Sequence, residues 1–356
     1  MLLKSRSAFI DFARIAAALT VALAHLRYSM LPEYKAVTDH PLWFSILAFC
    51  SGFASDAVIL FFVISGWLVG GSLLDSRHKA TPYSDYALAR ACRLGTVLVP
   101  AFVIHLAAHA AIYRSMSPPF DLQTLIGNLF GLQTVIVDCF GGNFPLWSLA
   151  NETAYYVGFV LVVASFDRRF TPTARVSLIV ALNLYWLVLT PQIRLYSAIW
   201  LFGVLASRLQ RKVDWRIAPA VLVALLAWVS AKRFMDVSTG FVPDAVTAVL
   251  FGLVLIFMAE EGLPAIQTRF WAFLGSFSFS LYVTHIPVLQ LMRVGDLKDT
   301  THVRTGDLVT FLLYAGLILI VAIAFSMAFE QRYLWLRSFV RARLPGRAPL
   351  RRTVGV

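Results

Sequence analysis

The sequence predicts an all-α, polytopic integral membrane protein with about ten transmembrane helices and both termini in the cytoplasm. Three observations carry that expectation. Of 356 residues, 59% are hydrophobic and only 14% are charged. Apolar runs long enough to cross a bilayer recur along the whole chain. The 31 Lys and Arg are unevenly shared between alternate loops, and the side carrying both termini holds the larger part, as cytoplasmic loops do.

In chain order, the candidate spans centre on residues 9–25, 57–74, 95–113, 154–166, 176–189, 195–207, 217–231, 245–259, 270–289 and 308–329. The first is long, contains ionisable side chains and has no small-residue cleavage site after it, so it reads as a retained helix rather than a signal peptide. Two further apolar stretches are not counted as spans. Residues 42–53 are too few to cross comfortably and include Gly52. Residues 122–137 follow Pro118 and Pro119; an eleventh span there would move the Arg-rich tail and two basic loops outside, so the stretch is expected to be interfacial or re-entrant. No internal repeat or separate soluble domain is visible. The division is a transmembrane domain over 1–335 and a basic cytoplasmic tail over 336–356.

The formal charge of +12 raises nucleic acid as a partner, but the basic residues sit in short loops and in the tail without an RNA- or DNA-binding motif. Membrane lipids and topology explain them better, and no nucleic acid is expected. Cys50, Cys92 and Cys139 lack zinc or redox spacing, so neither a metal site nor a disulfide framework is expected.

Charge inside hydrocarbon requires a reason, and the first span holds Asp11, Arg14 and His25. Helix positions advance by about 100°, so the step from Arg14 to His25 returns to nearly the same face, with Asp11 one turn earlier. That stripe passes Ala18 and Ala22, where a neighbouring helix or a slender ligand can approach the backbone closely.

Phe9-Ile10-Asp11-Phe12-Ala13-Arg14 with His25, Phe61-Phe62-Val63-Ile64-Ser65-Gly66-Trp67-Leu68-Val69, Pro145-Leu146-Trp147-Ser148-Leu149 with Glu152 and Tyr156, Phe279-Ser280-Leu281-Tyr282-Val283-Thr284-His285-Ile286-Pro287, and Glu330 stand in that order. Together they resemble the membrane-bound acyltransferase-3 family of bacterial O-acyltransferases over nearly the whole chain. Arg90 and Arg93 resemble the family's arginine cluster, with altered spacing and without the tyrosine that usually precedes the proline at 100. The resemblance implies a multi-pass protein of the bacterial cytoplasmic (inner) membrane. It implies transfer of an acyl group, acetyl above all, from cytoplasmic acyl-CoA to a hydroxyl of an extracytoplasmic glycan or lipid-linked sugar. Acyl-CoA is then a co-substrate, and no tightly bound cofactor is expected.

The residue chemistry allows that reaction. The expected topology puts His25, Glu152 and His285 toward the outer side, and Arg14, Arg90 and Arg93 toward the inner side. Arg14 and His25 lie about 16 Å apart along a helix, comparable with an extended pantetheine arm, which points to an acyl channel through the membrane. His25 is the candidate general base, since histidine titrates near neutrality; an acyl-histidine relay and a plain interhelical hydrogen bond are the alternatives. Arg14 orients the donor with Asp11 fixing its guanidinium, or the two merely neutralise each other. Arg90 and Arg93 grip donor phosphates or anchor topology. Glu152 holds the His25 tautomer, binds an acceptor hydroxyl, or caps its helix. Trp147 stacks on a sugar or joins the aromatic belt, and Tyr282 with His285 contacts the acceptor or makes structural hydrogen bonds. Ser148 lacks the setting of a nucleophile elbow. Ser65-Gly66 and Gly70-Gly71 permit close helix packing. The rival functions are a transporter or flippase for a glycan or lipid precursor and a noncatalytic scaffold.

Overall fold

The computed structural model describes residues 5–113, 120–209, 216–235, 240–258, 265–297 and 302–344. Pro118, Pro119, residue 259 at the end of the eighth expected span and residues 345–356 of the expected tail lie outside them. The described residues are mostly helical, with one isolated bridge between Gln133 and Val137 in place of any sheet.

Helix α1, Ser5–Met30, contains neither proline nor glycine; it ends beside Pro32, and Arg27 in its last turn complements the helix dipole. Helix α2, Leu42–Ser51, is short and separate. Helices α3, Ala54–Ser65, and α4, Gly71–Ser76, form one rod through a π-helical turn at Gly66–Gly70. Such turns insert one residue and re-aim the side chains that follow. Helix α5, Pro82–Tyr113, carries Pro100 internally. Helix α6, Leu122–Leu129, is capped by Asp121, which accepts from the Thr124 amide at 2.8 Å; the chain then turns through Gly131 and Thr134 at positive φ. Residues 122–137 are thus a short helix and a turn. Helices α7, Trp147–Ser165, α8, Pro172–Val188, α9, Pro191–Arg208, α10, Ile217–Phe234, and α11, Phe241–Phe257, follow. The series closes with α12, Ala265–Ser276, α13, Ser278–Leu291, α14, Thr305–Ala328, and α15, Tyr333–Ala342.

Over its described residues each of the ten apolar segments coincides with helix, the ninth being divided between α12 and α13. Seven helical stretches among the described residues are long and apolar enough to cross a membrane, and α8 and α11 are shorter apolar helices. The protein is a polytopic all-α membrane protein. Helix α15 contains the first residues of the expected tail and is tied to the start of α5 by an ion pair, Arg341 Nη1 to Asp85 Oδ1 at 2.9 Å.

Lipid tails are as apolar as leucine, so close packing and interhelical polar contacts hold such a bundle together. Two apolar clusters do the packing. One joins α3, α5, α7, α9 and α11 around Phe62, Trp200 and Phe251; the other joins α1, α2, α13 and α14 around Leu26, Phe44 and Leu281. Small residues bring α3 and α9 together: a methyl group on Gly66 would strike the Trp200 carbonyl, and one on Gly203 would strike that of Val63. Gly70 and Gly71 face Val204 and Ser207, so α9 fills the space beside all these glycines.

Candidate active site

His25 and His285 meet between α1 and α13. His25 Nδ1 lies 2.9 Å from His285 Nε2, with the imidazoles nearly parallel, and Phe144 packs edge-on against His25. The other nitrogen of His285, Nδ1, lies 3.1 Å from the Leu281 carbonyl. A carbonyl can only accept, so Nδ1 of His285 carries a proton and donates. In neutral His285, Nε2 is then the lone-pair nitrogen, and the proton in the His25–His285 bond belongs to His25 Nδ1. By elimination, the lone pair of neutral His25 is on Nε2, an atom without a hydrogen-bond partner among the described residues. The Leu281 carbonyl, His285 and His25 therefore form a chain with one consistent direction.

The loop before α7 is fastened to α13 next to this pair. Asn143 Nδ2 donates to the Val283 carbonyl at 2.9 Å, the Tyr282 hydroxyl donates to the Pro145 carbonyl, and Ser148 Oγ lies 2.7 Å from the same hydroxyl. The Tyr282 hydroxyl is thus occupied by protein on both sides, which favours its structural reading. Trp147 lies edge-on to Phe62 at 6.1 Å between ring centres and packs against the larger cluster.

A second polar level surrounds Arg14. Its guanidinium is 3.7 Å from Asp11, and the charges of Arg93, Glu330 and Glu152 also act on it. Arg93 donates to Glu330 Oε1 at 2.6 Å, and Glu330, fully buried, takes Ser280 N and Oγ on Oε2 at 3.1 and 2.5 Å. Arg93 is therefore committed to holding α5, α13 and the end of α14 together. Arg90 is different: its Nε is buried without a hydrogen-bond partner, and Tyr86 and Glu152 lie within its field.

Glu152 accepts from the Tyr156 hydroxyl at 2.6 Å, Tyr156 lies 3.0 Å from Ser65 Oγ, and Ser65 accepts from Trp200 Nε1 at 3.0 Å. Each hydroxyl accepts one proton and donates one, so the relay runs from the indole to the carboxylate across α9, α3 and α7. The carboxylate neither caps α7, whose first turn holds no acidic residue, nor bonds to His25. His285 occupies the position beside His25 that the sequence reading offered to Glu152, because α13 rather than α7 packs against that face of α1.

The family comparison decides what this arrangement belongs to. The acyltransferase-3 family model, described as an acyltransferase domain, matches residues 7–330. The chain belongs to that family. No curated protein and no solved structure matches it. All of the acyltransferase's motif residues, from Phe9 to Glu330, lie inside this interval.

Of the two occupants expected beside Ala18 and Ala22, a helix or a slender ligand, the helix is present in this acyltransferase. Ala18 and Ala22 pack in the α1, α13 and α14 cluster at 1% and 2% exposure, and Val21 on the same stripe is 2% exposed. A neighbouring helix, not empty space, meets the alanines.

The sequence reading also overlooked a buried charged group. Lys232 Nζ lies 3.0 Å from Asp56 and 3.2 Å from Asp244, Thr247 donates to Asp56 at 3.0 Å, and Tyr196 donates to Asp244 at 2.6 Å. It fastens α3, α9, α10 and α11. Charges within apolar segments were the available signal.

Proposed function

We propose that this acyltransferase moves an acyl group, acetyl being the simplest, from cytoplasmic acyl-CoA to a hydroxyl of an extracytoplasmic glycan or lipid-linked sugar in the bacterial inner membrane. The observation that carries the reading is the directed chain from the Leu281 carbonyl through His285 to His25. It leaves the Nε2 lone pair available as general base. That nitrogen takes the acceptor's O–H proton as the oxygen attacks the thioester carbon. The imidazolium so formed keeps its Nδ1–H bond to neutral His285. Collapse of the tetrahedral intermediate breaks the C–S bond, and the departing thiolate takes the proton from Nε2, which returns His25 to its starting state.

Arg14 and Arg90 are the donor contacts at the inner level, since Arg93 is held by Glu330. About 16 Å separates Arg14 from His25 along α1, so Arg14 acts on the carrier and not on the reacting carbonyl. An acyl arm that spans this distance has to part α1 from its neighbours near Val21.

The sided experiment tests this. Acyl-CoA is supplied to one face of sealed, oriented vesicles and a non-permeant hydroxyl acceptor to the other. Product on the acceptor side, with CoA released on the donor side and both abolished by His25→Ala, is the expected result. Reaction only when both substrates share the cytoplasmic face excludes the cross-membrane route.

A further inference from the structure

A cavity of about 800 Å³ opens where the C-terminal ends of α4, α7 and α9 meet the start of α5, and neither His25 nor His285 lines it. In the cytoplasmic-terminus orientation this is the inner interface of the membrane. Its walls are amphipathic in a definite order. Toward the bundle it is lined by Phe159, Val163, Leu201, Val204 and Leu205. At the rim stand Arg77, Arg168, Arg169 and Arg208.

Two of the rim arginines are spent on the fold. Arg208 binds Asp75 at 2.6 Å and the Gly71 carbonyl at 2.7 Å. Arg169 binds Asp167 at 2.5 Å and the carbonyls of Lys79 and Arg77. Arg169 and the Tyr83 hydroxyl hold the Asp167 carboxyl well below the ordinary carboxylate range, so it stays charged and opposes its own arginine. Arg77 and Arg168 are exposed, and their guanidinium groups make no hydrogen bond or ion pair with described residues. The rim therefore carries two positive charges that no carboxylate among the described residues answers.

We infer that this cavity holds an anionic phospholipid of the inner leaflet, its phosphate between Arg77 and Arg168 and the upper part of one acyl chain along Leu201 and Leu205. Basic pockets between membrane helices at the cytoplasmic level suit that chemistry, and guanidinium pairs with phosphate through planar, charge-assisted hydrogen bonds. The wall decides between a lipid and a soluble phosphate compound. A base can stack on aromatic rings, but apart from His78 and Tyr83 at the rim the uncharged wall is aliphatic and phenyl, with no hydrogen-bonding side chain for a base or ribose. Its one carboxylate is already paired, whereas an acyl chain fits that wall along its length. The inference rests on the chain spanning a membrane with both termini in the cytoplasm, not on the acyl-transfer reading.

Native mass spectrometry of the full-length protein in neutral detergent tests it, with phosphatidylglycerol, phosphatidylcholine, inorganic phosphate and coenzyme A as separate probes. Phosphatidylglycerol should be retained in preference to phosphatidylcholine. The Arg77→Gln/Arg168→Gln double variant should lose affinity for it by about thirtyfold, each basic residue near an anionic lipid contributing about fivefold. Leu205→Trp, at a position 54% exposed and so outside the packed core, should displace the chain and lower retention while the arginines remain. Melting temperatures in detergent verify folding; if the double variant melts early, the single variants should each lose about fivefold. Equal retention of the two lipids, or wild-type affinity in the arginine variants, overturns the inference. Binding of coenzyme A or inorganic phosphate in place of phosphatidylglycerol, sensitive to the same arginines, replaces the lipid with a soluble phosphate and equally overturns it.

Discussion

His285 has to present an acceptor to His25 Nδ1 while donating to the Leu281 carbonyl, and few side chains do both. Glutamine is one, through its amide oxygen and its NH₂. His285→Gln is therefore expected to keep more turnover than His285→Leu, and the leucine variant should lose kcat about tenfold or more with its pH profile displaced, since Nδ1–H of His25 is left without its acceptor. Steady-state rates over a pH series check this, and equal losses in the two variants would reduce His285 to a packing residue. His25→Ala should lower acyl transfer by about 100-fold or more with abundance and melting temperature preserved; near wild-type turnover would remove His25 from the chemistry. Arg93 and Glu330 make a contrasting pair. Arg93→Ala leaves a fully buried Glu330 without its cation, a loss on the order of 3 kcal/mol, and Glu330→Gln in the same chain should recover part of it. Thermal melting of the single and double variants reads the difference.

At the scale of helices, α3 and α9 are held at glycine distance, and polar side chains then tie that pair to the rest. Gly66→Leu puts a side chain where the Trp200 carbonyl stands and should destabilise the protein by at least about 1–3 kcal/mol. The charged group of Lys232, Asp56 and Asp244 is expected to behave as a unit. Lys232→Met leaves two buried carboxylates facing each other, a loss of about 3–5 kcal/mol. Asp56→Asn and Asp244→Asn added to it should restore much of the stability, because a neutral polar cluster in hydrocarbon no longer needs a counter-ion. If the triple variant melts no higher than Lys232→Met alone, the group is stabilised by packing and not by charge balance. The same pairing logic separates the two arginines: their spacing suits a phosphate clamp, but Glu330, just past α14, pairs with Arg93, while Arg90 has no such partner among the described residues.

For the whole molecule, the expected orientation puts both termini in the cytoplasm, as the basic residues favour. Reporter fusions at each end should both report cytoplasm; a reproducibly external C-terminus would reverse the two polar levels and remove the sided mechanism. The positions of the helices were legible in the sequence, because hydrocarbon thickness and backbone hydrogen bonding force every crossing segment to be a long apolar helix. The stripe of Asp11, Arg14 and His25 was legible too, because helical period alone puts those side chains on one face. Neighbours were not legible. In lipid an apolar face does not reveal whether it meets another helix or an acyl chain, so Ala18 and Ala22 left a neighbouring helix and a slender ligand both open until α13 and α14 covered them. Contacts between His25 and His285, separated by 260 residues, and between Arg93 and Glu330, separated by 237, depend on which helix stands beside which. The sequence by itself determined a polytopic helical membrane protein and the stripe of ionisable groups on its first helix. Only the tertiary structure decided which ionisable groups neutralise one another and which, like His25 Nε2 and Arg90, are left with capacity to act on a substrate, since a charge in hydrocarbon is defined chemically by the partner that packing brings within hydrogen-bond reach.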